Sequence, residues 1–99
     1  MTEQAPYYDP TANWSLIPRH MRGAVERYIM HGIPPGSFLT AVLSNDLKEA
    51  YGRADDENSA AMRGWVQFIY GYTPSPSQGS PEAVRAWIER GGLVGEAVQ

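Results

Sequence analysis

Apolar residues in this chain recur three and four apart in several separate stretches, and that spacing predicts short α-helices. The first clear stripe is Met21, Val25, Tyr28 and Ile29, in a helix expected over residues 18–31. Pro18 suits a first helical position, where its missing N–H costs nothing. Arg19, Arg22, Glu26 and Arg27 fall toward water. Gly32 is placed to end this helix in a left-handed residue, with Ile33 packing back on Tyr28 in a Schellman motif, and Pro34-Pro35 prevent continuation.

A second stripe, Phe38, Leu39, Val42, Leu43, Leu47, Ala50, Tyr51 and Ala54, holds one helical period. Ser44-Asn45-Asp46 interrupts it with side chains that compete for backbone groups. The expectation is one kinked helix, or two short ones with Ser44 or Asn45 starting the second. A third helix is expected from Asp55 as N-cap, with Asp56 and Glu57 complementing the helix dipole. Its stripe is Met62, Trp65, Val66, Ile69 and Tyr72. Residues 73–80, TPSPSQGS, read as a loop. Ser80-Pro81-Glu82 is a strong start for a fourth helix, with Val84, Trp87 and Ile88 inward and Gly91-Gly92 at its end. Residues 93–99 read as a frayed or loosely docked tail.

No stretch alternates at strand period, and no internal repeat is visible. The fold class expected is all-α: one compact domain of four to five short helices over residues 17–92, preceded by an N-terminal arm over residues 1–16. Tyr7, Tyr8 and Trp14 are the arm's aromatic residues, candidate interface anchors.

Composition narrows the functions. With no Cys, disulfides and thiolate metal sites are excluded. No apolar run is of membrane-spanning length, and the acidic start MTEQAPYYDP lacks a signal peptide's apolar region. A soluble protein of the bacterial cytoplasm is expected. The net charge of −3 disfavours a duplex-DNA binder, which needs basic excess. The charge is uneven. Residues 15–35 carry Arg19, Arg22 and Arg27 against Glu26, whereas residues 45–58 carry Asp46, Glu49, Asp55, Asp56 and Glu57 against Lys48 and Arg53.

Catalytic patterns are missing. His20 and His31 sit at opposite ends of the first helix, roughly 16 Å apart by helical rise, too far to share a metal. Asp55-Asp56-Glu57 lacks the glycine of a calcium loop. Ser44-Asn45-Asp46 has no Ser-x-x-Lys partner motif. Gly32 to Gly36 lacks the Lys-Ser/Thr ending of a phosphate loop. No enzyme activity, cofactor or metal is expected. Trp65, Trp87 and Tyr72 read as core.

The run HGIPPGSFLTAVLSNDLKEAYGRADDEN, then WVQFIYGY, then GSPEAVRAW, resembles a group of small proteins encoded by phages, prophages and mobile elements of proteobacteria. The resemblance spans residues 17–87. It departs at PSPSQ, where that group carries Cys and Trp. It implies an inhibitor of host machinery, with an anti-CRISPR protein as the leading case and a host complex, such as a Cas effector, as partner. The candidate partner-binding residues are Asp46, Glu49, Asp55, Asp56, Glu57, Tyr7, Tyr8 and Trp14, the acids being suited to a Lys/Arg-lined channel. The alternatives are a helical DNA-binding regulator using Arg19, Arg22 and Arg27, and an oligomerising accessory phage component.

Overall fold

The computed structural model describes residues 12–98 and, among them, contains helices and no strand. Its elements are α1 (Arg22–His31), α2 (Ser37–Leu43), α3 (Leu47–Arg53), α4 (Asp56–Ala60), α5 (Met62–Tyr72), α6 (Pro81–Arg90) and α7 (Gly92–Val98). Short 3₁₀ turns at Trp14–Leu16, Arg19–Met21 and Ser75–Ser77 complete the set. The all-α class stands. The second and third expected helices are each split in two, and the expected tail is helical.

Trp65, Trp87, Tyr28, Phe68, Ile29 and Leu39 fill the centre. The two indoles are satisfied as buried N–H donors must be: Trp65 Nε1 donates to Asn58 Oδ1 at 3.0 Å, and Trp87 Nε1 to the Tyr28 carbonyl at 2.9 Å. The Tyr28 hydroxyl donates to the Ser77 carbonyl at 2.7 Å, and burial raises its pKa above the ordinary phenol value. Tyr28 thereby ties α1 to both α6 and the Ser75–Ser77 turn.

α1 ends where expected, with Gly32 left-handed at φ 68°. The Schellman bonding does not form there. The Tyr28 carbonyl accepts from the Gly32 N–H and from Trp87, while the Ile33 N–H points to the Arg27 carbonyl at 3.4 Å. Ile33 is exposed instead of pairing with Tyr28. The indole takes the acceptor position that the motif requires.

A complete Schellman motif closes α2 instead. Asn45 is left-handed (φ 66°), its N–H bonds the Val42 carbonyl at 3.1 Å, and the Asp46 N–H bonds the Ala41 carbonyl at 2.9 Å. Among non-glycine residues, Asn tolerates this region best. Asp46 then caps α3, its Oδ1 accepting the Glu49 N–H at 3.1 Å. The break therefore gives two helices, and the second starts from Asp46 rather than Ser44 or Asn45. It also ends the shared apolar phase. Ala50 remains buried, but Leu47 and Tyr51 turn to solvent.

Asp55 is the N-cap of α4, as expected, and Ser80 is the N-cap of α6. The helix from Asp55 is interrupted at Ala61. Phe68 joins the buried stripe of α5, and Val66 leaves it for the surface.

Two corrections concern the ends. Trp14 is not an anchor on a separate arm: its ring packs on Phe68 with centroids 4.8 Å apart and lies under the Arg22 guanidinium at 5.9 Å. Gly64 makes this possible, because a Cβ there would collide with the Leu16 carbonyl. The 3₁₀ turn at Trp14–Leu16 is thus part of the body, which begins before residue 17. Tyr7 and Tyr8 lie outside the described residues. At the other end, α7 packs along α1. Gly32 and Gly92, both left-handed, bring these backbones together.

Gly52 offers a contrast. It is inside α3, and a Cβ there meets nothing within 4 Å. Gly52→Ala should stabilise the chain by about 0.5–1 kcal/mol through helix propensity, measured by urea denaturation.

Candidate binding surface

Beside the break at Asn45, the described residues present several exposed large apolar side chains. On α3, Leu47 is 67% and Tyr51 50% exposed; on α5, Val66 is 56% and Tyr70 87% exposed. Each pair is four residues apart and so shares a helix face. Single exposed hydrophobics are ordinary, but a contiguous set marks an interaction site.

Leu47 and Val66 line one concavity together, of about 60 Å³, with Val42, Asp46, Ala50 and Met62. A second, of about 210 Å³, adjoins it through Val42, Asn45 and Val66 and runs on to Tyr70, Gln78 and Gly79. The loop that walls this end is held by the Gly79 N–H, which donates to the Leu43 carbonyl at 2.7 Å. Across the α2–α3 elbow lies a shallow groove of about 400 Å³, lined by Pro34, Ser37, Thr40, Ser44, Asp46, Glu49 and Pro81 among others. Asp46 belongs to both sides of the elbow. Among the lining residues of all three, Asp46 and Glu49 are the only charged ones.

The five acids expected to form one patch sit at two helix starts, Asp46 and Glu49 at that of α3 and the other three at that of α4. Asp46 and Glu49 belong to the elbow, where Glu49 accepts from Arg53 Nε at 2.7 Å. Asp55, Asp56 and Glu57 open α4. His20 reaches two of them, with Nε2 3.2 Å from Asp55 and Nδ1 3.3 Å from Glu57, an ion pair when the ring is protonated. Asp55 Oδ1 accepts the Asn58 N–H at 2.7 Å. That bond, with help from His20, holds the Asp55 carboxyl below the usual carboxylate range. Asp55 and Glu57 are thus engaged in capping and local pairing, as Asp46 and Glu49 are at α3.

A stability–pH prediction follows from the sign of that shift. A depressed carboxyl pKa in the folded state means that the unfolded chain binds the proton more readily. The contribution of Asp55 is therefore present above the unfolded carboxylate pKa and lost as pH falls through the folded value. Asp55→Asn keeps a capping side chain but loses the charge. Its stability deficit against the parent should be greatest near pH 7 and close toward pH 3 in urea denaturation. A deficit independent of pH would contradict the role given to the Asp55 charge.

The basic residues of α1 are partly folded down. Arg22 covers Trp14, its Nε buried without a hydrogen-bond partner, and the Arg27 guanidinium lies over Gly23. Among the described residues, no three His, Asp or Glu side chains are grouped to hold a metal, and no helix is long and apolar enough to cross a membrane.

Leu47, Val66 and Tyr70 are functional candidates that the apolar periodicity misassigns or passes over. The signal was present as excess. The α5 sequence MRGWVQFIYGY contains more large apolar residues than one buried stripe accommodates. Compared with known protein families, curated proteins and solved structures, the chain matches none.

Proposed function

We propose that this chain is a non-catalytic binding protein that acts in the bacterial cytoplasm and inhibits a nucleic-acid-handling complex of the host. The leading case is an anti-CRISPR protein that occupies a Cas effector. The observation that carries the binding role is the elbow–α5 face, where Leu47, Val66 and Tyr70 stand exposed around concavities whose only charged lining residues are acidic. Apolar anchors supply most of the affinity at such interfaces, and the acids supply orientation and on-rate against Lys/Arg-rich surfaces. The kind of target comes from the resemblance of residues 17–87 to phage and mobile-element proteins. Direct nucleic-acid binding is not part of the proposal, since acids border this face.

Co-expression with a tagged Cas effector tests it. The chain is expected to co-purify with the effector in stoichiometric amount and to protect an infecting phage from interference. Failure to bind any Cas effector, together with no protection, would reject the anti-CRISPR reading.

A further inference from the structure

We infer that the trough between the α2–α3 elbow and α5 receives an amphipathic helix of another protein, one that carries Lys or Arg beside its apolar stripe. This deepens the proposed binding role and rests on it.

Charge selects the occupant first. The trough is lined by apolar and neutral polar residues plus Asp46, with no Lys, Arg or His among its described lining residues; Glu49 lines only the groove across the elbow and is paired with Arg53. A partner with cations beside its apolar stripe is complementary. A second copy is not, because a twofold pairing through the elbow brings the Asp46 regions together.

Backbone chemistry selects the helical form. An extended peptide brings unpaired N–H and C=O groups and normally satisfies them on a sheet edge. There is no strand among the described residues. A helix bonds its own backbone and offers apolar residues at i, i+3, i+4 and i+7 to an elongated trough. The site is also preformed. The Asn45 and Asp46 N–H bonds at 3.1 and 2.9 Å lock the elbow, and the Gly79–Leu43 bond at 2.7 Å locks the far end. Binding to a preformed site incurs less ordering entropy.

The test uses three synthetic peptides about four helical turns long, each titrated into the ¹⁵N-labelled full chain. One is a Leu/Lys amphipathic helix, one has Glu in place of each Lys, and one is the Leu/Lys composition scrambled. The Leu/Lys helix is expected to shift the amide signals of Leu47, Val66 and Tyr70. Its affinity should fall at least tenfold in Val66→Asp and severalfold in Asp46→Asn, which retains a capping side chain. The Glu and scrambled peptides should bind at least tenfold more weakly than the Leu/Lys helix. Equal binding of either control would overturn the inference, as would shifts confined to other surfaces. Concentration-dependent dimerisation by sedimentation, abolished by Val66→Asp, would also overturn it and assign the trough to a second copy. The two levels separate cleanly. If Val66→Asp abolishes effector inhibition but no peptide engages the trough, the binding face stands and the helical occupant falls. If the Leu/Lys helix binds as expected but Val66→Asp leaves effector inhibition intact, the occupant stands and the inhibitory role of the face falls.

Discussion

Gly32→Val should destabilise the chain by roughly 2–5 kcal/mol, a large part of the stability of a small domain. Two costs combine. A side chain in the left-handed region costs about 1–2 kcal/mol, more for a β-branched one. Overpacking adds about 1–3 kcal/mol, because a Cβ on Gly32 would lie 2.8 Å from the Gly92 nitrogen and 2.9 Å from the Trp87 carbonyl oxygen. Those neighbours are backbone, and they cannot turn aside as a side-chain tip can. The site is a junction of α1, α6 and α7, so the damage should reach all three. Urea denaturation followed by circular dichroism measures it. A loss of less than about 0.5 kcal/mol, the usual range for an inconsequential surface change, would show that the α1–α7 contact contributes little.

The double replacement Val66→Asp, Tyr70→Glu should reduce affinity for the partner by about 100-fold or more while sparing the fold. Interface anchors contribute about 2 kcal/mol or more each when truncated, and each factor of ten in affinity corresponds to about 1.4 kcal/mol. Each introduced carboxylate must also be desolvated where the partner makes apolar contact, a cost that outweighs its attraction to a cationic partner. Both side chains are mostly exposed, so unfolding free energy should change by no more than about 0.5 kcal/mol per site. Reversing Asp56 makes the useful comparison. It opens α4 and lines none of the three concavities, and its replacement by Lys should change affinity only a few-fold, as rim charges do.

How much of this was legible in the sequence depended on how local the determinant was. The caps at Asp55 and Ser80, the Pro81 start and the left-handed Gly32 and Gly91 all follow from residues within a few positions of each other, and all are present. Competition among distant groups was not legible. The Tyr28 carbonyl serves an indole 59 residues away, which removes the bond that the Gly32 motif needed. Asn45 was recognised as a poor interior residue, but its use as a left-handed terminator with Asp46 as the following cap sets the direction of α3. That direction exposes Leu47 and Tyr51, which the shared periodicity had assigned to the core. Trp14 and the residues after Gly91 escape the local pattern for a related reason. Trp14 and α7 are held by long-range packing on Phe68 and α1, and short sequence windows carry no trace of such contacts. The number of acids between residues 46 and 57 suggests a single patch. Asp55 and Glu57 instead cluster around His20, while Asp46 and Glu49 sit at the start of α3.

The most direct measurement is target-DNA binding by a purified Cas effector, with the chain and its Val66→Asp, Tyr70→Glu variant titrated in at equal concentrations. The parent should abolish DNA binding near one equivalent, and the variant, equally stable, should leave it essentially intact. Inhibition undiminished in the variant, or no inhibition by the parent, would contradict an inhibitor acting through the elbow–α5 face.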